Sequence, residues 1–294
     1  MKQFIILFVA AVAFIACEPV VNNYSIGTIY TAEQLDIEVL PVIVDGKQSN
    51  KIILKNNTPI LCEWNYGAGL SRLPVDTVML LRRGDINITF TGLNADGSKI
   101  TKIISVTVEE LSFPVSPEWE YLCGPTGEKE WIWDETWGFV WGSGPYRTVF
   151  QLDDYDSWWW AVSLEEIDDW GNMGWYFDPA YGEGASMKFS ILNNAVFSKT
   201  SRDGTLSTGS FSLNMNKVTY TEDGETVWAK GKLSLSGTTI LLEYLYDWDM
   251  DDMLPDPMYE FDIIELEEDR LVLAAAPAGS APEDAACFWI FKPK

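Results

Sequence analysis

No histidine occurs in these 294 residues. That absence removes Ser-His-Asp and Cys-His machinery and most transition-metal sites built on imidazole. Basic residues are scarce, with 20 Lys and Arg against 44 Asp and Glu and a formal net charge of -24. Such a balance repels nucleic-acid phosphates and anionic lipid headgroups, so neither is expected as a partner, and neutral or cationic ligands are favoured. Cysteine is sparse at four residues. Beyond residue 16 no apolar run is long enough to cross a bilayer as a helix. What the chain has in abundance is aromatic: 14 Trp, 12 Tyr and 14 Phe, within an apolar content of 47% that suits globular cores.

The first residues read as a processing segment. Lys2 supplies a positive start, and Phe4 to Ala16 is an apolar run too short to span a membrane and suited to a secretory h-region. It ends in Phe14-Ile15-Ala16-Cys17. A small residue before cysteine resembles a bacterial lipobox, with Phe14 where that motif usually has Leu. The resemblance implies lipidation of Cys17, a signal peptide over residues 1–17 and a mature protein held on a membrane only through its acyl chains. An ordinary cleaved signal with an incidental cysteine is the alternative. Cys62, Cys123 and Cys287 then remain, so at least one is a free thiol. A Cys123–Cys287 bridge between first and last strands is one option, and unpaired buried thiols are the other.

Residues 18–35 form a polar tether. From 36 to 112 the pattern is that of strands: Ile86, Ile88 and Phe90 alternate with polar residues, and the Asn94-Ala95-Asp96-Gly97-Ser98 turn cluster precedes Lys99–Ile104. Short strands at this spacing predict a small β-sandwich. The run Trp64-Asn65-Tyr66-Gly67-Ala68-Gly69 resembles the Trp-Asp-Phe-Gly-Asp-Gly-like run of PKD-type immunoglobulin-like domains, with Asn65 and Ala68 at its two acidic positions. That family implies a spacer or mount, with no binding role.

Phe113-Pro114-Val115-Ser116-Pro117 is a stiff linker. Beyond it, residues 119–294 read as one larger antiparallel β-domain, a barrel or a sandwich. Alternation is plain at Met187–Ile191, Phe211–Met215 and Tyr259–Ile263, and Asp203-Gly204, Asp223-Gly224 and Ser236-Gly237 punctuate the strands. The fold class is therefore all-β. The one helix candidate is Ser163–Asp168, where Ser163 and Glu166 have capping-box spacing. The closing strands, Tyr259–Leu266, Arg270–Leu273 and Phe288–Phe291, resemble those of bacterial lipocalin-like domains. The whole plan is similar to the lipid-anchored surface lipoproteins of Bacteroidota glycan-uptake systems. That resemblance implies outer-membrane, cell-surface localisation and work beside an outer-membrane transporter complex.

Ten of the fourteen tryptophans fall between Trp119 and Trp175, mostly among turn residues and carboxylates. An indole offers an apolar, polarisable face and a polar N–H, which suits the C–H faces and hydroxyl rims of sugars. The candidate ligand set is Trp131, Trp133, Trp137, Trp141, Trp158, Trp159, Trp160, Trp170 and Trp175, with Asp153 and Asn172 as hydrogen-bonding partners for hydroxyls. About half of the indoles are expected to fill core instead. Trp158-Trp159-Trp160 cannot all point inward from one strand, because neighbours face opposite ways.

Catalysis would have to rest on carboxylates. Glu166-Ile167-Asp168 has part of the Glu-x-Asp-x-Glu pattern of retaining β-glucanases, but positions 170 and 171 are Trp and Gly, so the acid set is incomplete. Residues 243–269 hold twelve acids and no Lys or Arg. Within that run Asp247-Trp248-Asp249-Met250-Asp251-Asp252 offers oxygen ligands for calcium (Ca2+) without the Gly and distal Glu of an EF-hand loop. No cofactor is otherwise expected. The leading reading is non-catalytic binding of a neutral polysaccharide or oligosaccharide. A glycoside hydrolase acting on β-glucan and a structural or protein-interaction lipoprotein are the alternatives.

Overall fold

Strict alternation along ten-residue strands builds the first part of the chain. In the computed structural model, which describes residues 27–144, 160–192, 195–221, 223–247, 251–277 and 285–294, seven strands lie between residues 37 and 108. They are β1 (Ile37–Val44), β2 (Lys47–Asn56), β3 (Leu61–Asn65), β4 (Leu70–Ser71), β5 (Val75–Met79), β6 (Gly84–Leu93) and β7 (Lys99–Val108). They form two antiparallel sheets, β1-β2-β5 and β4-β3-β6-β7. Ile86, Ile88 and Phe90 of β6 point into a shared core with Ile52, Leu54, Val78 and Trp64. The Trp64 and Phe90 rings meet edge to face at 4.7 Å. The β1–β2 hairpin closes on Asp45-Gly46, both with positive φ (51° and 80°), the turn chemistry that matches strand twist. Pro41 lies at a register shift on edge strand β1, where a missing N–H is harmless.

The second part is a closed barrel. Its strands are β8 (Glu128–Trp133), β9 (Trp141–Gly144), β10 (Trp160–Val162), β11 (Ser186–Ser190), β12 (Val196–Thr200), β13 (Leu206–Asn214), β14 (Thr219–Tyr220), β15 (Val227–Ala229), β16 (Gly231–Ser236), β17 (Tyr246–Asp247), β18 (Asp252–Met253), β19 (Glu260–Leu266), β20 (Leu271–Ala275) and β21 (Ala286–Pro293). The wall runs β8-β11-β12-β13-β16-β19-β20-β21 in antiparallel pairs. It closes where β21 pairs with β8, Phe291 opposite Trp133 and Pro293 opposite Trp131. The fold is thus all-β, and the pairing of β21 with β8 makes the larger part a barrel rather than a sandwich. The first wall strand is interrupted after Trp133 by a 3-10 turn over Glu135–Trp137, capped by the Asp134 carboxylate accepting from the Thr136 N–H. It resumes as β9, which pairs with the first half of β21 and carries β10 on its other edge.

The interior is filled, not hollow. Trp131, Phe189, Phe197, Phe261, Leu273, Trp289 and Phe291 occupy it, all fully buried. The closing strands are also covered outside. Val272, Ala274, Phe288 and Ile290 face a second apolar layer built with Trp228 of β15 and Phe139. Strands buried on both faces read as continuous apolar runs, which accounts for Cys287–Phe291. A six-residue helix, Glu118–Cys123, which lay outside the sequence expectation, packs Leu122 and Cys123 into the core, and the Trp131 Nε1–H donates to the Leu122 carbonyl at 2.9 Å. At the other end the connection between β16 and β19 folds in. Ile240, Leu241, Leu242, Leu245 and Tyr246 are buried there, and Trp289 Nε1–H donates to the Leu242 carbonyl at 2.8 Å. Arg82 of the sandwich donates to the Leu192 carbonyl of the barrel at 3.0 Å. Among the described residues no helix is long and apolar enough to cross a membrane.

Candidate functional site

Helix Leu164–Asn172 sets up the site. The Ser163 Oγ accepts from the Glu166 N–H, and the Glu166 carboxylate accepts from the Ser163 N–H, completing a capping box. Leu164 and Ile167 bury its inner side against the barrel. Gly171 is needed for close approach: a Cβ there would stand 2.9 Å from Pro179 and 3.0 Å from the Phe177 carbonyl. After the helix the chain reverses. The Trp175 N–H returns to the Trp170 carbonyl at 2.9 Å, and Tyr176 adopts φ 51°. A bulky residue at positive φ is strained, and such strain gathers where the surroundings hold a side chain for a purpose. Trp175 and Tyr176 are 56% and 48% exposed.

Five rings converge. Trp160 on β10 lies 5.8 Å from Trp170 in a stacked arrangement, 5.3 Å from Tyr176 and 4.9 Å from Tyr246, the last two edge to face. Beneath them Phe177 stacks on Trp170 at 6.1 Å and meets Trp141 at 5.4 Å. Among the described residues Trp160, Trp170, Gly174, Trp175, Tyr176, Tyr246 and Asp252 line a cleft of about 730 Å³. That is within the ~300–1,000 Å³ of ordinary ligand sites. A smaller cavity of about 110 Å³ adjoins it at Tyr176 and is bounded by Trp141, Asp178, Tyr181 and Glu243. Among the described residues Trp141 Nε1 is buried without a hydrogen-bond partner, and Trp141 lines that cavity.

The polar groups here are mostly acidic. The Tyr246 hydroxyl donates to the Asp251 carboxylate, and burial followed by that bond raises its pKa well above the usual phenol range. Lys199 is nearly fully buried, forms an ion pair with Glu243, donates to the Ile240 carbonyl at 3.3 Å and sits 4.0 Å above the Tyr181 ring. Burial and the nearby Glu243 charge raise the Tyr181 phenol as well. Leu242 (φ 53°), which lines the smaller cavity, and Asp251 (φ 56°), which neighbours Asp252, are also non-glycine residues at positive φ.

Of the indoles expected to bind, Trp160, Trp170 and Trp175 meet in the cleft. Three do not. Trp131, Trp133 and Trp141 are buried in the barrel core, because their faces of β8 and β9 are interior, and Trp141 borders only the smaller adjoining cavity; rings this buried leave a sugar no face to stack on. Trp137 lies half-buried on the outer layer under Arg270, whose guanidinium is 5.1 Å from its ring. Asn172 is exposed at the end of the helix and does not line the cleft. Trp158, Trp159 and Asp153 lie outside the described residues. Sequence reasoning missed Tyr176, Tyr246 and Asp252 as partners. The signal for Tyr246 and Asp252 was an aromatic beside carboxylates in the 243–269 run, but joining it to the tryptophan stretch needed the barrel.

Glu166 and Asp168 sit on a helix, not on one strand face. Glu166 is spent in the capping box and Asp168 pairs with Arg202, so the glucanase geometry does not form between them. Among the described residues no group of three or more acidic or thiol side chains is placed to hold a metal, and Asp249 of the candidate calcium run lies outside them. Cys62, Cys123 and Cys287 are all free and buried, so the Cys123–Cys287 bridge is absent: Cys287 Sγ instead faces Ser143 Oγ at 3.6 Å and the Tyr246 N–H at 3.2 Å.

No protein-family model and no curated protein matches the chain. Among solved structures, one described as "Structural basis for the promiscuous specificity of the carbohydrate-binding modules from the beta-sandwich super family" is similar over 88% of this chain and 90% of that one, at 10% identity and a TM-score of 0.22. A score that low does not establish a shared fold.

Proposed function

We propose that this chain is a non-catalytic glycan-binding protein that holds a polysaccharide or oligosaccharide in the aromatic cleft. The observation that carries the reading is the convergence of Trp160, Trp170, Trp175, Tyr176 and Tyr246 on one cavity of about 730 Å³, with Trp175 and Tyr176 exposed. Aromatic faces take the C–H patches of sugar rings, and carboxylates such as Asp252 accept from hydroxyls. In this reading the N-terminal sandwich is a PKD-type mount and Cys17 carries a lipid anchor. The protein then works at the outer-membrane surface in capture and uptake of glycan, beside a transporter, like the Bacteroidota lipoproteins it resembles. Replacing Cys17 by Ala should move the protein from the membrane to the soluble fraction, and continued retention argues against the anchor.

The test of binding is affinity electrophoresis through gels containing a panel of polysaccharides, with product analysis of the same mixtures. Retardation without cleavage supports the reading. Cleavage would establish a glycoside hydrolase, and no retardation by any glycan would leave the cleft to a protein partner.

A further inference from the structure

We infer that the cleft selects a glycan bearing free amino groups, an oligomer or polymer of a 2-amino sugar in its ammonium form, over the neutral N-acylated equivalent. The inference rests on the glycan reading above and specifies the ligand's charge. Four of the rings that line the cleft belong to Trp160, Trp170, Trp175 and Tyr176, and Tyr246 is the fifth. Ring faces carry negative electrostatic potential and attract ammonium groups seated over them. Asp252 adds a full negative charge at the wall. Its described hydrogen bond is from the neighbouring Met253 N–H, at 2.8 Å, and no Lys or Arg pairs with it among the described residues. Asp178 adds a second carboxylate in the adjoining cavity, whereas Glu243 there is offset by Lys199.

No Lys or Arg lines either cavity among the described residues. The run 243–269 that supplies Tyr246 and Asp252 has twelve acids and no basic residue. A sulfated or uronic-acid glycan would meet only repulsion here. A neutral sugar would offer Asp252 its hydroxyls but no countercharge. An amino sugar offers both complements at once, a C–H face for an indole and an ammonium for the rings and Asp252.

The experiment compares a fully deacetylated glucosamine oligomer with the N-acetylated oligomer of the same length, by calorimetric titration of the full chain. The deacetylated oligomer should bind at least tenfold more tightly at low salt. Asp252→Asn should shrink that preference to within about threefold without altering the melting temperature, with the deacetylated oligomer losing several times more affinity than the neutral one. Because the whole protein is acidic, diffuse attraction is controlled by Glu225→Gln, an exposed site in the β14–β15 hairpin, which should leave the preference intact. Trp175→Ala should weaken both oligomers. Equal affinity for the two oligomers, or a preference that survives Asp252→Asn or falls equally with Glu225→Gln, overturns the charge inference and leaves glycan binding standing. Binding of neither oligomer overturns it too, and retention of another polysaccharide in the gel panel would then still support the glycan reading.

Discussion

Replacing Glu243 by Gln should unfold the cleft end of the barrel more readily, and the size of the effect can be worked out from its surroundings. Lys199 stands on β12 with its side chain only 4% exposed, and Glu243 is the carboxylate that forms its ion pair. Removing one partner of a buried pair costs about 3–5 kcal/mol, because the other charge stays behind without compensation. The Glu243 side chain is 20% exposed and Lys199 keeps the Ile240 carbonyl and the Tyr181 ring, so the lower end applies, about 3 kcal/mol. For a domain of this size that is about 6–12 °C in melting temperature. The double variant Lys199→Met with Glu243→Gln removes both charges while keeping the volume, and should recover most of the loss. Thermal unfolding followed by circular dichroism reads all three. A single variant within about 2 °C of the parent, or a double variant less stable than the single one, would refute the view that this pair pins the β16–β19 connection to the wall.

Two further outcomes follow from the packing. Burial pushes the Cys123 thiol up to about 12 and the Cys287 thiol to about 11, and Cys62 is raised for the same reason. Iodoacetamide at pH 8 should therefore leave these three cysteines unmodified in native protein and alkylate them in guanidinium; mass spectrometry showing rapid native labelling of Cys287 would contradict its place between β9 and Tyr246. Ser163→Ala removes the helix cap and should cost about 1 kcal/mol, lowering the melting temperature by about 2–4 °C and weakening glycan binding through the displaced Trp170; unchanged stability would show that the cap does not hold the helix.

The all-β class was legible because alternation at Ile86–Phe90, Phe211–Met215 and Tyr259–Ile263 is local and period two leaves no helical option. The Ser163–Glu166 cap was legible for the same reason, since its partners are three residues apart. Closure was not, because Phe291 meets Trp133 across most of the domain and no short-range pattern encodes that pairing. The tryptophans show the limit most clearly. Trp131 and Trp133 share a strand face by spacing, but spacing does not say whether that face looks inward or outward; the barrel makes it inward. Trp160, Trp170 and Trp175 came from the same dense stretch, yet their companions Tyr246 and Asp252 arrive from the β16–β19 connection, some seventy to ninety residues later. A site assembled from two distant connections is visible only once the wall between them is closed.

The central claim is that rings at the cleft hold sugar, and Trp175 tests it with least disturbance because it is the indole of the cleft most open to solvent. The measurement is the affinity of Trp175→Ala for a glycan that the parent retains, taken by calorimetric titration beside a melting curve. One lost stacking contact is about 0.5–1.5 kcal/mol, so affinity should fall by roughly two- to thirteenfold while the melting temperature stays within about 2 °C of the parent. Unchanged affinity in a folded Trp175→Ala protein would contradict the claim.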